Sequence, residues 1–155
     1  MRLSAGILLY RSSGDGLQVL LAHPGGPLFE RRDHGHWTIP KGEPDPDEPL
    51  VDAARREFTE ETGQALPDGT LLELGSITQK GGKVVHAWAI EGDMDPEKAL
   101  SETFEMEWPP RSGRLASFPE IDRVAWFDPD EARRRIKDTQ TPLIDRLEGF
   151  LRSGS

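Results

Sequence analysis

Gly42-Glu43-Pro44-Asp45-Pro46-Asp47-Glu48, followed after seven residues by Arg56-Glu57-Phe58-Thr59-Glu60-Glu61-Thr62-Gly63, is the stretch on which the reading of this chain turns. Leu50 to Thr62 contains good helix formers, no internal Gly or Pro, and a Gly63 stop, so it predicts a helix. At about 100° per residue, Glu57, Glu60 and Glu61 share one stripe of that helix. Val51, Ala54 and Phe58 fall on an adjacent stripe suited to packing on a sheet. Three like charges so placed repel by a few tenths of a kcal/mol per pair, about the scale measured on helix surfaces. A hard divalent cation reverses that sign, because Mg²⁺ and Mn²⁺ take oxygen ligands and bridge carboxylates to phosphates. The plain alternative is a solvated acidic helix face. Against it stand two Gly, four Glu and one Arg at fixed spacing. With roughly one chance in fifteen per letter, a random match at a given start is on the order of 10⁻⁸.

Working outward, the three prolines between Gly42 and Pro49 predict an irregular, stiff loop before the helix. Upstream, Leu3 to Tyr10 and Leu17 to Ala22 flank a Ser/Gly/Asp cluster and read as a strand pair. His23 to His36 reads as a long loop, and Trp37-Thr38-Ile39 as a brief strand ended by Pro40. Downstream, Leu71 to Gln79 and Lys83 to Glu91 read as strands joined by Lys80-Gly81-Gly82. Asp93 to Ser117 is a long mixed insertion in which Phe104, Met106 and Trp108 alternate with Glu105 and Glu107, a short strand with one wet face. Arg123 to Phe127 is a last strand. Asp128 or Asp130 caps a helix through Ile136, and Thr141-Pro142 opens a final helix to about Leu151. No repeat or linker divides the chain, so residues 1–155 are expected to form one α/β domain.

The composition narrows the chemistry. The 155 residues carry 19 basic and 28 acidic side chains, a net charge of −9. Such a chain is a poor partner for a nucleic-acid backbone, whereas a small phosphorylated substrate bridged by a cation remains compatible. There are no cysteines, which excludes disulfides and thiolate metal sites. The apolar run at the N-terminus is too short for a membrane span and lacks a signal-peptide layout, so a cytoplasmic address and no membrane partner are expected. His34, His36 and His86 lack the helical spacing of a zinc site.

The quoted residues resemble the signature of the Nudix hydrolases, G-x5-E-x7-R-E-U-x-E-E-x-G-U, where U is a bulky aliphatic residue. Phe58 is a loose fit to the first U and Gln64 departs from the second, a packing position. The resemblance implies an α/β/α sandwich with a mixed β-sheet and a loop-helix-loop catalytic motif. It also implies roles: Glu60 and Glu61 as principal ligands of Mg²⁺ or Mn²⁺, and Glu57 as a further ligand or as the base for the attacking water. Arg56 would orient Glu57, and Gly42 and Gly63 would permit the loop turns. The Lys41 carbonyl would touch metal, and Glu48 would be either a second-metal ligand or structural. Metal lowers the pKa of bound water and neutralises charge building on phosphoryl oxygens.

The flanks bear on the substrate. Trp37-Thr38-Ile39-Pro40-Lys41-Gly42 resembles the entry segment of the diadenosine tetraphosphate hydrolase branch, where MutT-type triphosphatases more often carry Pro-Gly-Gly. The side chains of Lys41 and Lys83 would then hold polyphosphate, the alternative for each being a solvated lysine. Glu120, six residues before Trp126, would be a metal ligand or base, with Glu105 and Glu107 as rivals. Trp108 either stacks on a base or plugs the core. The expected function is hydrolysis of a dinucleoside polyphosphate such as diadenosine tetraphosphate, to ATP and AMP. The alternatives are a triphosphate pyrophosphohydrolase and a catalytically silent nucleotide-binding module, and the four retained glutamates argue against the last. A small nucleotide is the expected partner, and monomer and homodimer stay open.

Overall fold

A computed structural model describes residues 2–14 and 16–153. Its strands and helices are, in chain order, β1 (Leu3–Ser13), β2 (Gly16–Pro24), β3 (Lys41–Gly42), α1 (Leu50–Thr62), β4 (Leu72–Thr78), β5 (Val84–Glu91), β6 (Thr103–Glu107), β7 (Leu115–Pro119), β8 (Ile121–Phe127), α2 (Pro129–Arg135) and α3 (Thr141–Arg152). The main sheet runs β4-β5-β1-β2-β8, with the short β3 paired to β1. β1 and β5 are parallel, while β1–β2, β1–β3, β2–β8 and β4–β5 are antiparallel, so the sheet is mixed as expected. Asp15, at the expected turn between β1 and β2, lies outside the described residues.

β1 explains why its sequence shows no polar alternation. Ala5, Ile7 and Leu9 pack towards Ala53, Ala54 and Phe58 of α1. Leu8 and Tyr10 pack on the opposite face with Ala132 of α2 and Leu143, Ile144 and Leu147 of α3. A central strand covered on both faces needs apolar side chains at consecutive positions. Two helical layers thus enclose one sheet, an α/β/α sandwich. α1 spans the residues expected, but its buried face is Ala53, Ala54, Phe58 and Thr62, with Val51 only half-buried.

Two local readings differ from the structure. Trp37-Thr38-Ile39 is not a strand: Thr38 makes one isolated bridge to Ala22 and Trp37 one to Ile136. Pro40 has no N–H to continue a ladder, and the pairing with β1 resumes one residue later as β3, inside the segment read as the start of an irregular loop. The insertion 93–117 contains the expected short strand as β6, which ends at Glu107 and leaves Trp108 outside it. It also holds most of β7, whose half-buried Ala116 and Phe118 face Met106 and Phe104 across the hairpin.

His23 carries a burden that its loop-like neighbours conceal. It is fully buried, with Nδ1 2.8 Å from Asp122 Oδ1 and Nε2 against the carbonyl of Arg32, and it pins the 25–36 loop to β8. Among the described residues no helix is long and apolar enough to cross a membrane.

Phe58, 1 % exposed, is the largest side chain joining α1 to the sheet. Phe58→Ala is expected to lower stability by about 3–5 kcal/mol, read as a fall in the urea midpoint with little change in slope.

Candidate active site

Arg56 organises the acidic motif. Its Nε and Nη2 donate to Glu48 Oε2 and Oε1 at 3.0 and 2.9 Å, a bidentate fork. Its Nη1 donates to Glu57 Oε1 at 2.9 Å and to the two oxygens of Glu60 at 3.1 and 3.0 Å. Nη2 also reaches the Glu43 carbonyl at 3.1 Å, which ties the proline-rich loop to the helix. The guanidinium is held more firmly protonated than usual, chiefly by Glu48 and then by Glu60 and Glu57. The same contact keeps the Glu48 carboxyl below the ordinary carboxylate range, helped by the Asp45 amide. Glu48 therefore faces the arginine, and Asp45 N–H donates to it at 2.9 Å.

The two motif glycines have separate reasons. A Cβ on Gly42 would stand 2.0 Å from Glu57 Cδ, so the missing side chain lets β3 pass directly beneath that carboxylate. Gly63 ends α1 at φ 73°, where its N–H donates to Thr59 O at 2.7 Å. Glu57 Oε1 is taken by Arg56, while Oε2 is the oxygen nearer Gly42 in this close approach. Burial and the neighbouring Glu60 push the Glu57 carboxyl up, against the pull of Arg56.

Glu57, Glu60, Glu61, Glu102 and Glu120 line one cavity of about 390 Å³, with Lys41, Lys83 and Ser4 also on its walls. Glu61 is pushed up to about 8 by burial first, with Glu57 and Glu120 adding to it and the Lys41 amide and ammonium opposing. The Lys41 amide donates to Glu61 Oε1 at 3.2 Å. Lys41 is pushed down to about 8, by burial first and then by Lys83 and Lys137, while Glu61 works the other way. Burial is thus the first cause that moves Glu57 and Glu61 up and Lys41 down.

Among the described residues, no three carboxylates or imidazoles are already drawn together tightly enough to enclose an ion. Glu57 and Glu60 face Arg56, and Glu61 faces the Lys41 amide. The donor chemistry fits a hard divalent cation: only carboxylate oxygens are offered by the acids around one space, and burial first, then the neighbouring acids, raises Glu57 and Glu61.

The structure brings Arg56, Glu57, Glu60, Glu61, Lys41, Lys83 and Glu120 into one region. Of the three downstream acids, Glu120 lines the cavity, whereas Glu105 and Glu107 are exposed along β6. Trp108 is half-buried at the end of the β6–β7 hairpin, its backbone N–H donating to Arg114 O at 3.0 Å, and it is not on the cavity wall. His34 and His36 stay in the loop, and His86 sits between Ser76 Oγ (2.9 Å) and Glu73 Oε2 (2.6 Å). Besides Glu43, quoted with the motif but given no role, two cavity residues escaped the sequence reading. Glu102 arrives by backbone pairing, its N–H on Glu60 O at 3.1 Å and its carbonyl on the Glu120 N–H at 2.8 Å. Ser4 arrives as a small residue at the start of an apolar strand. Neither has a local signal.

The comparisons with known proteins follow the same lines. The chain is 40% identical over 73 residues, 43% of its length, to rat (Rattus norvegicus) bis(5'-nucleosyl)-tetraphosphatase [asymmetrical], and spans about half (50%) of that relative. A Caenorhabditis elegans Ap4A hydrolase binary complex superposes with a TM-score of 0.70 at 22% identity, covering 97% of this chain and 98% of that one. The NUDIX domain of Shewanella oneidensis NrtR, complexed with ADP ribose, gives 0.67 at 17% identity, covering 97% and 88%. These structural likenesses speak for the fold. The model of the NUDIX domain matches residues 1–147, nearly the whole chain. This protein belongs to the NUDIX family.

Proposed function

We propose that the chain, acting as a single domain, is a pyrophosphohydrolase that splits a phosphoanhydride bond of a nucleotide with a divalent cation, and that its substrate is a dinucleoside polyphosphate such as diadenosine tetraphosphate, cut to ATP and AMP. The observation that carries this reading is the cavity in which glutamates gathered by Arg56 face Lys41 and Lys83. An acidic wall alone repels phosphate, and a basic wall alone binds it without activating water. Both together suit a substrate whose charge is shared between a cation and ammonium groups. The rat relative's name and the Trp37 to Gly42 segment support the choice of substrate.

In this assignment Glu57, Glu60, Glu61, Glu120 and the Lys41 carbonyl would hold Mg²⁺ or Mn²⁺, which would supply Lewis acidity and a lowered water pKa. Arg56 fixes Glu57 through Oε1 and leaves Oε2 to accept the proton of the attacking water. Glu48 holds Arg56 in place from the far side of its fork. Lys41 and Lys83 hold the phosphate chain, and Gly42 and Gly63 shape the backbone around it. Trp108 is assigned a base-contacting role at the hairpin end, outside the acidic cavity.

Three measurements test this. Diadenosine tetraphosphate offered beside nucleoside triphosphates and nucleotide sugars should be the preferred substrate by kcat/KM, with ATP and AMP as products. Equal or better turnover of a simple triphosphate overturns the substrate assignment. Glu57→Gln keeps the side chain's shape and should lower kcat by about 10²–10⁴-fold with an unchanged circular dichroism spectrum. A variant as active as the parent removes Glu57 from the chemistry. Finally, Glu61, with its proton held up to about 8, must lose that proton to bind metal. Proton and metal compete, so Mn²⁺ affinity measured by calorimetry should rise about tenfold per pH unit between pH 6 and 8 and level off above, as a single such ligand requires. A flat profile excludes Glu61 as a ligand.

A further inference from the structure

Strand alternation divides the cavity's residues between the two faces of the sheet. Ser4, Gly6 and Leu8 of β1 share a face, and Leu8 lies in the core cluster with α2 and α3. Lys41 pairs with Gly6 across the β1–β3 ladder, and a Cβ on Gly6 would lie 2.9 Å from Lys41 Cβ, so Lys41 belongs to that face. Lys83 stands two residues before Val85, which is in the same cluster. The metal-ligand glutamates of α1 rise from the opposite face. A phosphate chain reaching from the acids to these lysines therefore crosses the end of the sheet.

Two features on the lysine side are without a role so far. Ser4 is fully buried, and among the described residues its Oγ is the one buried side-chain polar atom with no hydrogen-bond partner, although it lines the cavity. Buried hydroxyls are almost always satisfied, so an orphan facing a binding cavity points to a ligand atom. A second cavity of about 290 Å³ is lined by Gly35, Gln79, Lys80, Lys137, Asp138 and Thr139, and it is tied to the first through Gln79, whose N–H donates to Lys83 O at 2.7 Å. Lys137 is half-buried there, and its backbone N–H donates to Trp37 O at 2.9 Å. Burial, and then the nearness of Lys83, ease its proton affinity below the ordinary lysine range.

Gln140 holds these pieces in register. It is fully buried, and its Nε2 donates to Gln79 Oε1 at 2.8 Å while its Oε1 accepts from Ile39 N–H at 3.1 Å. One side chain thus links the segments that carry Lys41, Lys83 and Lys137. A surface lysine cluster would have no such internal tie.

We propose that Ser4 and Lys137 are substrate-binding residues that extend the Lys41–Lys83 pair into a phosphate track, with Ser4 bonding the phosphates next to the acids and Lys137 those leading into the second cavity. This rests on the polyphosphate reading given above, and assigns the second cavity to the part of the substrate distal to the acidic wall. Chain length becomes the discriminating variable, because Ser4 lines the first cavity and Lys137 the second, so a longer chain gains more from Lys137.

The test is calorimetric titration of the full chain with inorganic pyrophosphate and tripolyphosphate in metal-free buffer, which reads the chain's own residues without turnover. Ser4→Ala should weaken both ligands at least fivefold. Lys137→Gln should weaken tripolyphosphate about tenfold, leave pyrophosphate within twofold, and be rescued by Lys137→Arg. Parental binding in both variants, equal weakening of the two ligands by Lys137→Gln, or no binding by the parent overturns the track. Turnover of diadenosine tetraphosphate by the parent chain reads the substrate assignment separately: if that fails while the length dependence holds, the substrate is wrong and the track stands.

Discussion

The site depends on one guanidinium among three carboxylates. Glu57 and Glu60 would repel each other across a turn of α1, and Glu48 would have no reason to lie against the helix. Arg56 sits among all three and contacts each within about 3 Å. Because its fork is rigid, it supplies direction as well as charge. Through Nη2 it also anchors the carbonyl of Glu43, so the loop that leads into the motif is fixed by the same group. A lysine would supply the charge without the second and third contacts.

That arrangement makes sense only on this sheet. β3 runs beneath Glu57 because Gly42 has no side chain, and its partner β1 is buried on both faces, so neither strand can retreat. The closing acids come from elsewhere. Glu102 and Glu120 are delivered by main-chain bonds to Glu60 O and to each other, independent of their own side chains. The carboxylates therefore stand on two supports, a helix and a pair of extended segments, which a single element could not place around one space.

Much of this was legible in the sequence, and the failures have physical reasons. α1 was readable to the residue because Gly63 ends it and nothing inside breaks it. The catalytic-type stripe was readable because helical periodicity fixes which side chains share a face. Trp37 to Ile39 misled because aromatic and β-branched residues look like a strand, while Pro40 removes the hydrogen bond that would make one. β7 escaped because its Leu115 is exposed and its partner strand supplies the pattern. Glu102 and Ser4 were invisible: one is placed by a tertiary backbone contact and the other by the register of two strands distant in sequence. His23 sits beside Pro24 and two glycines, which read as loop, yet it is buried against Asp122.

The parallel ladder between β1 and β5 has a kinetic meaning. Leu3 pairs with Val84, so Ser4 and Lys83 meet only after a long loop of chain has closed. Contacts so far apart in sequence form late and slowly compared with a helix or hairpin. The β4–β5 hairpin and α1 can form early by local contacts, while the two walls of the cavity remain apart. The cavity therefore closes only with this long-range pairing, and a chain caught midway through folding holds helix and strands but not the space between its two walls.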